Sequence, residues 1–464
     1  MSIRVAKPLR LLPAVFFFVF EVLSTAAHAA QVITLEDAIG IALERNVPLL
    51  QSRNAAQLSE VAVNEARMQF VPDLSLNSSG TRNYGHYYSA AAGSFINQTT
   101  DSLNLGASSG LTLFAGLHDV AALRRAKLSL QASRSDLNRA QETAIHTVVS
   151  NFLALILQQD QLQVERENLS AEATLEEQIR DYVKAGARAS ADLYQQQANV
   201  ASARLSVIQA QNAAELSKVD LLRTLQLEPL QSYEFQAPAI EAIFSSDTTD
   251  LKELVTRALE RRTDLRAEEA RVESLEQGVG VASAAYWPTV SLTAGYGSSF
   301  TNALPLGLHD QLEAYRNGSV ALNVSVPLFD RSVTRNAVRR ARLQAQNERI
   351  ALDSTRHEVE LQVKTVYLNH RAARDELSAA EAQQHTAQLA VQSAQERFKA
   401  GTAILVEVSQ ERTLYMVAEI ALVTARYNLA LQSTLMKFYL GEVQIEGSDQ
   451  QSRWPSNSPP PQER

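Results

Sequence analysis

The sequence predicts a mainly α-helical fold with a smaller β component, built from two copies of one structural unit. Three observations support this class. The 464-residue chain aligns with itself, it contains two 66-residue segments without proline or glycine, and each copy carries segments that alternate apolar with polar residues. At a rise of 1.5 Å per residue, each uninterrupted segment would form a helix roughly 100 Å long. A compact globule does not accommodate helices of that length.

The first 29 residues have the three-part pattern of a secretory signal peptide. A positively charged start precedes an apolar stretch, and Ala27-His28-Ala29 matches the small-x-small pattern of a cleavage site. The chain has no Cys, which excludes a lipid anchor after cleavage and any disulfide framework. After residue 30 we expect no transmembrane helix, so passage through a membrane would require a β-barrel.

The charge of the chain argues against polyanionic partners. The formal net charge is -8, and the predicted signal peptide carries three cations and one acid, so its removal leaves a net charge of -10. A protein of that sign has no general electrostatic attraction to nucleic acid or to anionic lipid, and we expect no nucleic-acid partner.

An internal duplication sets the domain organisation. At an offset of 216 residues Ala42–Arg45 aligns with Ala258–Arg261, and at an offset of 215 Lys184-Ala185-Gly186 aligns with Lys399-Ala400-Gly401. This period is much longer than that of solenoid repeats, so it indicates a duplicated domain. We predict a signal peptide at 1–29, a first repeat at 30–227, a linker at 228–249, a second repeat at 250–442 and a disordered tail at 443–464.

Each repeat has the same predicted order of elements. An opening helix is followed by a β-hairpin, a long helix, a glycine turn near residue 186 or 401, and a return helix. The predicted ranges in the two repeats are Thr34–Gln69 and Asp250–Ala285 for the opening helices, 70–114 and 286–329 for the hairpins, Asp119–Lys184 and Thr334–Lys399 for the long helices, and Ser190–Leu225 and Leu405–Leu440 for the return helices.

The predicted strands are few and strictly alternating. Taken alone, the alternation fits either outer-membrane hairpins or a water-soluble sandwich. The long helices favour the membrane interpretation, because their thin apolar faces suit a wall of helices rather than a thick core. Four strands cannot close a barrel, since the smallest membrane barrels have eight. Three copies would supply twelve strands, so a trimer is the simplest closure.

The segment around the second glycine turn carries the most specific motif. Arg397-Phe398-Lys399-Ala400-Gly401 is followed by Glu407-Val408 and by Ala425-Arg426-Tyr427-Asn428 on the return helix, and Tyr182–Gly186 with Asp192-Leu193 forms the first-half copy. Together with the duplication and the signal peptide, these residues resemble the TolC family of outer membrane efflux proteins. The resemblance covers about residues 34–442.

The resemblance implies an architecture and a set of partners. The expected fold is a long α-helical barrel joined to a trimeric, twelve-stranded transmembrane β-barrel, in contact with outer membrane lipid. The implied role is the exit channel of a tripartite efflux or secretion system, with a periplasmic adaptor (a membrane fusion protein) and an inner-membrane pump of RND, ABC or MFS type. The implied location is the outer membrane, with a long periplasmic helical portion.

The resemblance also assigns candidate residues at the helix tips. The pore and gate candidates are Asp192, Glu407, Gln410, Arg188 and Phe398, and the adaptor-docking candidates are Lys184, Gly186, Ala187, Ser190, Lys399, Gly401, Thr402 and Leu405. Threefold copies of Asp192 and Glu407 would form carboxylate rings that favour cations. The alternative is that both acids simply complement the dipoles of their helices.

The same positions depart from the family in ways that affect the gate. The Tyr and Arg that constrict the entrance in the family's best-known member are replaced by Phe398 and Ala403, and a second acid one turn beyond Glu407 is replaced by Gln410. We therefore expect the closed state to be held differently, with Arg188 as a candidate partner across the tip.

The sequence offers no catalytic constellation. His357, His370 and His385 are spaced too widely on one helix for a metal site, and no nucleotide or hydrolase motif is present. We expect neither enzymatic activity nor a cofactor. A cluster of arginines at 339, 340 and 342 fits a solvated helix start or contact with lipopolysaccharide or lipid headgroups. The leading hypothesis is a passive trimeric duct, and the alternative is a soluble periplasmic coiled-coil adaptor or scaffold.

Overall fold

The computed structural model describes residues 31–89, 93–97, 99–238 and 250–443. The predicted signal peptide, most of the predicted tail and the second half of the linker lie outside these residues. In chain order the elements are β1 (Gln31–Ile33), α1 (Leu35–Arg45), α2 (Val47–Met68), β2 (Ser75–Asn83), β3 (His86–Ser89), β4 (Ser94–Asn97), β5 (Thr100–Ala115), α3 (His118–Lys184), α4 (Ser190–Leu225), β6 (Tyr233–Phe235), α5 (Leu251–Arg261), α6 (Thr263–Ser283), β7 (Thr289–Thr301), α7 (Leu308–Ala314), β8 (Asn317–Ser325), α8 (Val333–Lys399) and α9 (Leu405–Tyr439).

The two long helices confirm the length predicted from the absence of glycine and proline. The helices α3 and α8 each contain 67 residues, and the return helices α4 and α9 contain 36 and 35. Each long helix begins after a residue in the left-handed region, Leu117 with φ 65° and Ser332 with φ 65°. The two strand-to-helix junctions therefore share one unusual backbone geometry.

The predicted opening helices are each broken in two, which the sequence analysis did not anticipate. In the first half, Asn46 adopts an extended conformation and its side-chain Oδ1 accepts the N–H of Leu49 at 3.1 Å, so that it caps α2. Pro48 follows in the first turn of α2, where proline is tolerated. In the second half Arg262 makes the same break, and its guanidinium is buried against Asp264 and Gln362.

The hairpins form one antiparallel sheet with strand order β2-β5-β7-β8. Leu103 lies opposite Phe300 and Leu111 opposite Leu292, which in turn lies opposite Leu322. Because cross-strand partners share a face, the sheet has one apolar face and one face of small and polar residues. The region between β2 and β5, which was predicted as a loop, contains the additional hairpin β3-β4, and the region between β7 and β8 contains α7.

The helices form a single layer, four helices wide, that extends from one end of the sheet. Next to the sheet the order is α2, α3, α6, α8, and farther away it is α4, α3, α9, α8. The long helices α3 and α8 run through both levels, and the shorter helices fill the places beside them. At the middle of the layer β1 pairs in parallel with β6, which lies in the predicted linker. The strand β6 buries Tyr233 and Phe235 next to Phe152 of α3.

One helix is long and apolar enough to be a candidate membrane span, which the sequence analysis did not anticipate. The helix α9 is the single helix within the described residues that passes a test of length and composition for a membrane span. One third of the most apolar stretch of α9 is buried, and α9 packs along α8 and α3. A core helix passes the same test, so this property alone does not place α9 in a membrane.

Candidate functional site

The glycine turns at the far end of the helical layer have the same backbone in both halves. Gly186 has φ 75° and Gly401 has φ 74°, a region that glycine adopts at little cost. The N–H groups of Gly186 and Ala187 donate to the carbonyls of Val183 and Tyr182, at 3.0 and 2.8 Å. Gly401 and Thr402 repeat the pattern with Phe398 and Arg397, at 3.0 and 2.9 Å. Both turns are therefore Schellman motifs that end the long helices at equivalent points.

A small apolar core ties the two turns together. Phe398 is only 5% exposed and Leu405 only 3%. They pack with Leu175 and Ile179 of α3 and with Val408 of α9. Phe398 was predicted as a gate residue and Leu405 as a docking residue, but within one chain both are interior packing residues. Ala403 is buried in the same core, so a small side chain is required there.

Arg188, the predicted partner across the tip, lies over the aromatic ring of Phe398. The Arg188 guanidinium carbon lies 4.3 Å from the centre of the Phe398 ring, and Nη2 lies 3.5 Å from the Phe398 carbonyl oxygen. This cation–π contact joins the turn of the first hairpin to the end of α8 in the second. The structure thus brings together two of the predicted gate residues, through a contact that carries no carboxylate.

The two candidate acids have different surroundings. Glu407 forms an ion pair with Arg397 across its own turn. Asp192 is half-buried in the first turn of α4, and no ion pair with Asp192 occurs in the part of the chain that the structure describes. Gln410 is exposed one turn beyond Glu407. The first hairpin therefore presents an acid without a countercharge, whereas the acid of the second hairpin is already neutralised.

The remaining docking candidates lie on the surface of the two turns. Lys184 pairs with Asp181 at 3.0 Å, and Lys399 pairs with Glu396 at 2.9 Å. The hydrogen bond that Lys399 donates to the Glu396 carboxylate raises the pKa of the Lys399 ammonium above its usual value. The other exposed candidates are Gly186, Ala187, Ser190, Gly401 and Thr402. These residues form a small, mostly polar surface at the end of the molecule.

A buried polar network lies a few turns from the tip, and sequence reasoning did not identify it. The guanidinium of Arg412 (α9) contacts the carboxylate of Glu172 (α3) at 2.7 Å, with both side chains about one-tenth exposed. The fully buried Gln196 (α4) donates to the Glu172 carbonyl at 3.0 Å. Asn199 bridges Gln196 and Ser409, at 3.2 Å each. One network thus links α3, α4 and α9, where removal of one charge would leave the other buried.

A cavity of 440 Å³ opens beside this network, between α3 and the ends of α8 and α9. Its apolar floor includes Leu175, Phe398 and Val408, and Arg412 lies at one edge. The only signal for this region in the sequence is that a polar or charged residue interrupts the buried face of each of three helices. These residues are Glu172 in α3, Gln196 in α4 and Arg412 in α9. That signal appears only once the packing of the helices is known.

The described residues contain no group of three or more His, Asp or Glu side chains arranged to hold a metal ion. His370 is buried, while His357 and His385 are exposed at other levels of α8. At the tip the described residues provide an apolar core and exposed charged side chains.

Comparison with known proteins gives one consistent answer. The model of the family described as "Outer membrane efflux protein" matches residues 38–225 and 254–442. Protein CyaE of Bordetella pertussis is 29% identical over 192 residues, which cover 41% of this chain and only 39% of CyaE. Outer membrane protein TolC of Vibrio cholerae is 22% identical over 438 residues, which cover 94% of this chain and 96% of TolC.

The fold agrees with a solved structure. The outer membrane protein VceC of Vibrio cholerae superposes with a TM-score of 0.76 at 18% identity, covering 88% of this chain and 96% of VceC. At this identity the likeness concerns the fold, and it matches the TolC-like architecture predicted above. With both duplicated halves covered by the family model, the chain belongs to the outer membrane efflux protein family, whose location is the outer membrane.

Proposed function

We propose that this protein is the passive, trimeric exit duct of a tripartite efflux or secretion system, gated at its helix tips. The observation that carries the proposal is that one chain forms an elongated strip with two open edges. One edge consists of β2, of α2, which precedes it in the chain, and of α4, which lies farther from the sheet. The other edge consists of β8 and of α8, which follows it in the chain. The open edges of the sheet and of the helical layer therefore coincide along the length of the molecule.

Open strand edges cannot remain unpaired in lipid, where each free N–H or C=O group is costly. Joining the β2 edge of one copy to the β8 edge of the next pairs the free N–H and C=O groups of both edges. This contact uses two different surfaces, and such a contact closes into a ring when the rotation permits. Three copies supply twelve strands, which lies within the even numbers found for bacterial barrels.

The helical edges carry large apolar side chains that are exposed in the described part of the chain. On α4, Leu205 and Leu216 are exposed, and 11 residues separate them, which keeps them on one face. On α8 the exposed residues include Leu343, Ile350 and Leu368. Such stripes on a protein of this family are best buried by a neighbouring copy.

The two faces of the sheet suit a wall between lipid and water. Val320, Leu322 and Val324 of β8 are between 60% and 75% exposed on the apolar face. The opposite face carries Asn323 and Thr293, joined by a hydrogen bond of 3.3 Å, along with several glycines. We therefore place the apolar face toward lipid and the polar face toward a water-filled lumen.

The tips form the periplasmic entrance and the docking surface for the adaptor in this proposal. The exposed turns around Gly186 and Gly401 would meet the adaptor, and three copies of Asp192 would ring the entrance. In the same proposal an inner-membrane pump supplies the energy for transport.

The competing hypothesis is a soluble periplasmic scaffold, and topology separates the two. We would introduce one Cys at Ser94, in the β3-β4 hairpin, or at Ala187, in the first helix turn, and treat intact cells with a membrane-impermeant maleimide. The absence of native Cys makes each label unique. The duct predicts labelling at 94 and protection at 187. Protection of both sites until the outer membrane is broken would favour the scaffold.

A further inference from the structure

The strand-to-helix junctions carry an excess of positive charge that the duct itself does not require. Between residues 118 and 127 and between residues 330 and 342 there are eight cations and two carboxylates, in a chain whose net charge is -8. We call the eight cations the basic band; they are Arg124, Arg125, Lys127, Arg331, Arg335, Arg339, Arg340 and Arg342.

The basic band is exposed and is not neutralised within the chain. All eight side chains are on the surface. Across the part of the chain that the structure describes, none of them forms an ion pair, although Arg349, about two turns beyond Arg342 on α8, pairs with Glu276 at 2.5 Å. A cavity of 240 Å³ lies between Arg125 and Arg340, over Gly278 and Ala337. Arg335, Arg339 and Arg342 are spaced by four and three residues and share one face of α8, whereas Arg340 lies about 140° around the helix from Arg335. The basic band thus offers guanidinium groups without countercharges on more than one face of the helix.

The position of one of these cations, Arg335, opposes the local preference of its helix. The N-terminus of a helix carries a partial positive charge that favours acids and disfavours cations. The first turn of α8 nevertheless contains Arg335 and no acid. The Asp330 carboxylate accepts the N–H of Thr334 at 2.7 Å and supplies the acid at this terminus, so Arg335 is an additional cation that the helix itself does not need.

An apolar and aromatic girdle lies directly beside the basic band. Large apolar side chains are exposed at all four connections between the sheet and the helices, and they are Phe70, Leu117, Tyr286, Trp287, Leu328 and Phe329. Rings of aromatic residues mark the boundary between the hydrocarbon core and the headgroups in membrane barrels. The basic band therefore lies at the depth of the headgroups when the sheet spans the membrane.

The reach of the side chains agrees with this depth. The headgroup layer is about 5 to 8 Å thick on each side of a bilayer. Arg124 and Arg339 lie six residues into their helices, about 9 Å below the start. Side chains on a helix lean toward its N-terminus, which for α3 and α8 is the sheet end, and long cationic side chains extend toward the membrane interface.

We infer that the basic band binds the phosphate groups of anionic phospholipids in the periplasmic leaflet of the outer membrane. This inference rests on the sheet spanning that membrane, as proposed above. It adds a ligand class, the anionic phospholipid, and residues that hold it. Each cation near such a surface favours anionic lipid by about fivefold at most.

Trp287, which lies in the girdle, allows a direct test. The chain has two tryptophans, so a Trp454→Phe background leaves Trp287 as the only indole. The full-length protein would be placed in vesicles that contain either brominated phosphatidylglycerol or brominated phosphatidylcholine. We expect phosphatidylglycerol to quench Trp287 fluorescence at a severalfold lower mole fraction, with the preference shrinking at high salt.

Three variants identify the source of the preference. Arg335→Gln/Arg339→Gln/Arg342→Gln should remove most of it, and Arg124→Gln/Arg125→Gln should reduce it independently if the triple variant does not assemble. The matched control Arg371→Gln/Arg374→Gln removes two exposed arginines far along the same helix and should leave the preference intact.

The outcomes separate the inference from the function on which it rests. Equal quenching by the two lipids, or a preference that survives both band variants, would overturn the inference while leaving membrane insertion supported. An absence of quenching by either lipid would instead contradict insertion of the sheet. A preference abolished by inorganic phosphate, but not by chloride of equal ionic strength, would indicate a site for soluble phosphate and would overturn the lipid assignment.

Discussion

The two halves of the molecule share a backbone but differ in the side chains at functional positions. Both tips are Schellman turns at equivalent glycines, and both long helices follow left-handed junctions. At the second tip Phe398 fills the core and Arg397 neutralises Glu407. At the first tip the equivalent of Phe398 is the smaller Val183, and Asp192 has no ion-pair partner among the described residues. The duplication thus fixes the geometry, while packing and free charge are divided between the halves.

The junctions before the long helices should show the largest difference between the halves. Gly116 has φ 63°, and an added Cβ would overlap the Ala284 carbonyl oxygen and come within 2.7 Å of the Trp287 Cβ. Its counterpart Arg331 has φ 56° and already carries a side chain. Gly116→Ala should lower the free energy of unfolding by at least about 3 kcal/mol, because it adds backbone strain and overpacking.

Urea unfolding followed by far-ultraviolet circular dichroism measures this effect, with Arg331→Gly as the matched control. The control should shift the midpoint little. An unchanged midpoint for Gly116→Ala would show that the junction can relax and that its close packing is not required.

The second largest difference between the halves should be in the stability of the apolar packing at the two tips. Phe398→Ala should weaken the tip by about 3 kcal/mol, whereas Val183→Ala, at the equivalent position, should cost about 1 kcal/mol. The loss would be local, so hydrogen exchange of the amides near Ala394 is the suitable measurement. Equal protection in the two variants would contradict the assignment of Phe398 to the core.

A smaller effect concerns pH and the middle of the helical layer. His146 stacks on Phe438 with ring centres 4.7 Å apart. Burial, with a contribution from Arg139, lowers the pKa of the His146 imidazole below its usual value of 6.5. As the pH falls below 6.5 the unfolded chain takes up this proton before the folded protein does, so stability falls.

His146→Phe should therefore flatten the decline in urea midpoint between pH 7.5 and pH 5.5, while keeping an aromatic ring against Phe438. The exposed His357 offers a control, since His357→Phe should leave the decline as it is in the unmodified protein. A decline of equal steepness in all three proteins would exclude His146 as its source.

The two candidate acids should differ in function with little effect on stability. Reversal potentials across planar bilayers report the cation preference of the duct. Asp192→Asn should reduce that preference more than Glu407→Gln, because Arg397 already neutralises Glu407. A larger change for Glu407→Gln would mean that the ion pair opens in the assembled protein.

The sequence predicted the long-range architecture better than the local interruptions. The ends of α3 and α4 fall within one residue of their predicted positions, because helix-breaking residues occur only at the turns. The break at Asn46 was missed although Pro48 marked it. The break at Arg262 has no such marker and depends on Gln362, 100 residues away.

The candidate site was predicted in part for the same reason. The two glycines in the sequence predicted the positions of the two turns and of the exposed lysines beside them. It did not reveal that Phe398 and Leu405 are buried, or that Arg188 covers the Phe398 ring, because those facts depend on how the two hairpins pack. The network around Glu172 joins three helices and likewise has no local signature.

The central claim is that one chain is an open strip that closes only by joining different edges of three copies. Leu216 on α4 and Leu368 on α8 are 59% and 50% exposed, and lie about 40 and 47 Å from the tip. We would introduce Cys at both positions and treat outer membranes with a flexible bis-maleimide. The double variant should give a ladder ending at a covalent trimer, and neither single variant should cross-link. Dimers from a single variant, or a double variant that stays monomeric, would contradict the claim.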